Sequence, residues 1–153
     1  MAGLATAAAP TVAESARTAD LWATVNACDP PGHPGAVGIR VSIPRAKNSP
    51  QQWALIRLQY LDSATKKWKL VLSGGDSGWA KLGGGRRVVL GGTTFTFPLP
   101  PAGSRIVVRG VVSVEWRRHD RPVARARLLT EARHQNPKDP LLRVSQRSCV
   151  IRR

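Results

Sequence analysis

Acidic side chains are scarce in this sequence: nine Asp and Glu among 153 residues, spread singly along the chain. General acid–base work by paired carboxylates needs two of them brought together, and no such pair can be read here. Two cysteines cannot furnish a Cys-based zinc site, and three scattered histidines add no ligand pair at helical spacing. No run of 18 apolar residues is present, which excludes a membrane-spanning helix of ordinary length. Apolar residues nowhere recur at three and four over more than two turns, so helices should be rare. The glycine clusters Gly74-Gly75, Gly83-Gly84-Gly85 and Gly91-Gly92 lack the following Lys-Ser or Lys-Thr and the helical pattern that a phosphate-cradling loop requires. They read as turns between strands, and no cofactor is expected.

What the chain has in excess is positive charge. Lys and Arg number 24, for a net charge of +15, and all but two of them lie from Arg45 onward. Such a balance favours acidic partners: nucleic acid, anionic lipid or acidic polysaccharide. Arg outnumbers Lys 18 to 6 in a chain rich in Ala, Gly, Pro and Val. This is the bias of a GC-rich genome, and it argues against reading the charge as specific nucleic-acid recognition. The length suits one compact domain, and an apolar share of 42% allows it a real core.

Residues 1–19, with one isolated Leu, one Val and a surplus of Ala, offer neither a hydrophobic stripe nor a usable strand. They are expected to form a disordered leader outside the domain, which spans 20–153. The small residues Ala5-Thr6-Ala7 resemble a signal-peptidase site, so the stretch reads equally as a secretory remnant or an Ala-rich tail. From Asp20 onward the chain alternates apolar and polar residues in short segments separated by Gly, Pro, Asn or Asp. Strands are predicted at 21–27, 36–43, 53–61, 68–72, 78–82, 86–90, 93–97, 105–117, 123–130 and 145–151.

Two hairpins can be taken to register. With Ile56, Leu58 and Tyr60 inward, a loop Ser63-Ala64-Thr65 pairs Asp62 with Lys66, sets Gln59 opposite Lys69, and turns Trp68, Leu70 and Leu72 inward. In the second, Ile106, Val108, Val112, Val114 and Trp116 face Ala124, Ala126 and Leu128 across a loop His119-Asp120-Arg121, with Glu115 opposite Arg125 outside. Uneven strand lengths and the Pro98-Leu99-Pro100-Pro101 crossing favour two packed antiparallel sheets over a barrel. The expected fold is an all-β, immunoglobulin-like or fibronectin-III-like β-sandwich in a single domain.

The order Trp22, Cys28-Asp29-Pro30-Pro31, Arg57-Leu58-Gln59-Tyr60, Trp68, Ser77-Gly78-Trp79, Arg109-Gly110-Val111-Val112, Glu115-Trp116-Arg117 and Cys149 resembles uncharacterised secreted β-sandwich proteins of actinobacteria. The resemblance covers residues 20–153, rests on texture more than motif, and implies no known activity. The chain departs from antibody domains, having no Cys…Trp…Cys core spacing and no Tyr two residues before the second Cys.

Cys28 ends the first predicted strand and Cys149 lies in the last, so a disulfide between them is expected; two buried free thiols in a cytoplasmic protein are the competing reading. His33, His119 and His134 all fall in predicted loops, Asp120 beside His119 reads as a turn pair, and Cys28 with His33 supplies too few ligands for a soft metal. An enzyme is therefore not expected. Most of the five tryptophans are assigned to the core, with Trp79, between Gly78 and Ala80, the candidate exposed aromatic. The alternation places Arg109, Arg117, Arg125 and Arg127 outward and Arg118 and Arg121 at the loop, a candidate polyanion-binding stripe partly neutralised by Glu115 and Asp120. The functional expectation is a monomeric, non-enzymatic, extracellular or cell-surface module for binding or structure, contacting an acidic polysaccharide or another envelope protein. A basic intracellular nucleic-acid-binding β-domain is the alternative; its marks would be a free Cys28 and aromatics exposed among the arginines.

Overall fold

The computed structural model describes residues 20–46, 50–83, 87–134 and 144–153. The expected leader at residues 1–19, with Gly84, Gly85 and Arg86, lies outside the described residues. Nine strands follow in order: β1 (Trp22–Cys28), β2 (Ala36–Pro44), β3 (Gln51–Leu61), β4 (Trp68–Leu70), β5 (Asp76–Leu82), β6 (Val88–Thr96), β7 (Arg105–Arg118), β8 (Arg121–Leu129) and β9 (Cys149–Arg152). They form two antiparallel sheets. The smaller has the order β1-β2-β6; in the larger, β3 and β7 run side by side at the centre. β4 and β5 share the far edge of β3, pairing with its C-terminal and N-terminal parts, and β8 and β9 share the far edge of β7 in the same way.

Strict alternation explains the core. Val37, Ile39, Val41 and Ile43 of β2 turn toward Ala54, Ile56 and Leu58 of β3 and Val108, Val112, Val114 and Trp116 of β7, all buried. Each Val, Ile or Leu among them withdrawn from water contributes about 1.5–3 kcal/mol, so these rows outweigh any single polar contact. Trp116, the largest fully buried side chain, also donates its indole N–H to the Pro44 carbonyl at 3.0 Å and ties one sheet to the other. Where β1 reaches the larger sheet, buried threonines satisfy stray carbonyls: Thr24 donates to Glu131 at 2.6 Å and Thr130 to Arg147 at 2.6 Å. Cys28 of β1 is disulfide-bonded to Cys149 of β9, 121 positions away, with Cα atoms 5.3 Å apart.

Four expectations need correction. The strands predicted at 86–90 and 93–97 are one strand, because Gly91-Gly92 is no turn: Gly92 pairs with Arg40, and a Cβ on it would stand 2.6 Å from the Ile39 carbonyl oxygen. Glycine is there for close backbone approach. The β3–β4 loop is one residue longer than read. Lys66 takes φ 57°, the Asp62 carboxylate accepts from the Ala64 and Thr65 amides, and Gln59 pairs with Leu70 instead of Lys69. A one-residue slip turns each side chain over. Trp68, Leu70 and Leu72 therefore point away from the core, Leu72 at 94% exposure, while Val71 packs inward. In the β7–β8 hairpin the register of Glu115 with Arg125 is as expected, but the turn is only His119-Asp120, both at positive φ, and a bulge at Val123 supplies the missing residue. Lastly, Trp116 alone of the five tryptophans is fully buried.

Candidate polyanion-binding face

The outer face of the larger sheet gathers the residues that the alternation turns away from the core. Cross-strand pairing sets them in rows. Lys81, Trp53, Glu115 and Arg125 form one row; Trp79, Leu55, Ser113 and Arg127 form the next; Asp76, Arg57, Val111 and Leu129 a third. Farther along, Leu70, Gln59 and Arg109 make a fourth.

Two of the arginines are built into this surface. The Arg117 guanidinium lies 4.4 Å from the Trp53 ring centroid and 4.9 Å from that of Trp79, and its Nε donates to Glu115 Oε2 at 2.7 Å. Its side chain is only 17% exposed. Arg109 stands 4.1 Å over the Trp68 ring and donates to Gln59 Oε1 at 2.9 Å. Partly desolvated stacking of this kind is worth about 1–2 kcal/mol per contact, enough to hold a long side chain flat. Tryptophan on an outward face is thus explained by arginine: each covers apolar surface of the other.

Glu115 is the hinge of the electrostatics. Burial pushes its carboxyl pKa up, but the hydrogen bonds and charges of Arg117 and Arg125 outweigh this and hold it below the ordinary range. One carboxylate thereby serves two guanidinia, the second through Arg125 Nε at 3.1 Å. Arg125 still leaves 71% of its side chain in solvent. Burial draws the Arg109 pKa down, and the charge of Arg127 adds to the effect. Arg127 has no carboxylate partner among the described residues, so this part of the face carries cation against cation.

Between Trp79 and β8 the face opens into a groove of about 370 Å³ lined by Trp79, Ser113, Glu115, Arg125 and Arg127. Trp79 is 39% exposed. No protein-family model, curated protein or solved structure matches this chain.

The structure divides the predicted arginine stripe. Arg109 and Arg117 are stacked and committed; Arg125 and Arg127 stand along β8; Arg118 and Arg121 are exposed at the turn. Trp53 and Trp68 belong to the face as well, although the core was expected to take them. Sequence parity could have placed Trp53, which is odd-numbered on a strand whose even positions Ile56 and Leu58 face inward. No comparable signal located Trp68, whose side depends on the length of the preceding loop. The histidines do not converge. His33 lies in the β1–β2 connection and His119 in the β7–β8 turn, while His134 stacks on Trp22 at 4.4 Å and meets Glu131 at 2.7 Å. Cys28, in its disulfide, offers no thiolate.

Proposed function

We propose that this chain is a non-enzymatic, extracellular or cell-surface binding module that holds an acidic polymer of the cell envelope on the outer face of its larger sheet. The observation that carries the reading is the surplus of cations on that face: Arg125 and Arg127 beside exposed Trp79, with Arg118 and Arg121 at the adjoining turn and Glu115 already shared between two guanidinia. A row of cations on a sheet face suits a flexible chain of anionic groups, which it attracts by releasing condensed counterions. The disulfide fits an oxidising, extracytoplasmic compartment. What supports the finer, fibronectin-III-like assignment is that β4 and β5 pair with β3 and not with β6. The resemblance to secreted actinobacterial β-sandwiches belongs to the same reading.

The test is elution from immobilised heparin as a function of salt. Wild type is compared with the triple variant Arg121→Ser, Arg125→Ser, Arg127→Ser, which spares the stacked Arg109 and Arg117. Each lost contact lowers the slope of log affinity against log salt by roughly 0.7, so the triple variant should fall short by about 2. Elution of the variant where wild type elutes, or no retention of either at low ionic strength, overturns the proposal.

A further inference from the structure

Among the exposed features of the molecule, the groove beside Trp79 combines chemistries that a purely ionic surface does not need. One wall is indole, Ser113 presents a hydroxyl, and the opposite side carries the guanidinia of Arg125 and Arg127, the first of them bonded to the Glu115 carboxylate. Its volume of about 370 Å³ lies near the lower end of the roughly 300–1,000 Å³ of small-ligand sites. Arg117 occupies one side of the Trp79 ring, and the indole left exposed lines the groove.

We infer that this groove seats a carboxylated sugar ring of a polysaccharide, with the C–H face of the pyranose against Trp79 and the carboxylate on Arg127. The inference rests on the acidic-polymer reading and deepens it. A pyranose offers three surfaces at once: an apolar face for the indole, hydroxyls for Ser113 and Glu115, and a planar carboxylate for a guanidinium fork. Polyphosphate offers anionic oxygens to the guanidinium but no apolar face for the indole. The rows place Trp79 and Arg127 three strand spacings apart, about 14 Å between backbones. Small Ser113 lies between Leu55 and Arg127 in that row, which leaves the floor low enough for a ring to settle.

The experiment measures binding of oligogalacturonate, inorganic polyphosphate and oligothymidylate of matched charge at one salt concentration. The proteins are wild type, Trp79→Ala, Trp79→Phe and Arg127→Gln, each checked for an unchanged melting temperature. Trp79→Ala should weaken oligogalacturonate at least tenfold and leave polyphosphate within twofold, Trp79→Phe should restore most of the loss, and Arg127→Gln should weaken both polymers. Equal loss of both on Trp79→Ala, or loss of neither, refutes the sugar site while leaving the acidic-polymer reading intact. A larger loss for oligothymidylate than for oligogalacturonate replaces the sugar with a stacked base. Absence of binding by wild type to all three polymers sinks both readings.

Discussion

Replacing Cys28 and Cys149 together by alanine, or reducing the wild type, opens a covalent loop with a sequence separation of 121. In the loop-entropy description, freeing that many residues gives the unfolded chain about 16 cal/mol/K, or about 5 kcal/mol at 25 °C. Unfolding entropy accumulates at roughly 2.1 cal/mol/K per residue, so over residues 20–153 the melting temperature should fall by about 15–20 °C. Cys149 is fully buried and Cys28 packs against the core, so both thiols keep their places after reduction and the loss belongs mainly to the unfolded state. Urea titration provides the check. Reduced protein should show a lower midpoint and a steeper dependence on denaturant, because its unfolded state is more expanded. Free thiols in protein taken from its native compartment, or a shift under about 3 °C on complete reduction, would refute the reasoning.

Three further outcomes are expected. Trp116→Phe removes the indole N–H from the Pro44 carbonyl and leaves a small void, so stability in urea titration should drop by about 2–3 kcal/mol; a loss under about 0.5 would show that the bond across the sheets is dispensable. At Gly110 an added Cβ would stand 2.7 Å from Thr130 Cγ2 and 3.0 Å from Ile39 Cδ1, so Gly110→Ala should cost about 1–3 kcal/mol through overpacking, and an unchanged midpoint contradicts that contact. The Lys69 ammonium, with the Ala64 and Thr65 amides, lowers the Asp62 pKa from 3.8 to about 2, and Glu115 is also held below its ordinary 4.5. A carboxylate depressed by folding stabilises above its unfolded pKa and ceases to do so as pH falls through the folded value. Melting temperature should therefore decline between about pH 4.5 and 2, less so in Asp62→Asn; parallel curves for the two proteins would exclude the Asp62 contribution.

Alternation made the inner faces legible, because Val112, Val114 and Trp116 on one strand can share a face with Ala124, Ala126 and Leu128 on the next only if an odd number of residues separates the paired strands. The turn between them differs from the expected loop yet keeps the register: a two-residue turn plus the bulge at Val123 shifts the register as much as a three-residue loop does. No such compensation exists between β3 and β4. There the rule that apolar means inward fails, since Trp68 gains its cover from Arg109 on the outer face, and the one-residue difference in the loop carries no hydrophobic signature. Gly91-Gly92 misled for a related reason. Glycine marks either a turn or a place where another backbone comes close, and only the neighbouring β2 distinguishes the two. The groove likewise faces a β7–β8 hairpin that the sequence does announce with Trp79 of β5, whose place at the far edge of β3 it does not.

The bond between β1 and β9 also decides how the domain bears load. Tension applied to the chain outside Cys28 and Cys149 passes from one sulfur to the other and bypasses the 121-position segment between them. Pulling can peel only the strand residues outside the clamp, and the sandwich that carries the groove stays slack. Reduction removes the shunt and lets roughly 400 Å of contour pay out at about 3.3–3.6 Å per residue. Oxidised, the domain is a nearly inextensible link; reduced, it can be drawn out by tension into a long compliant tether.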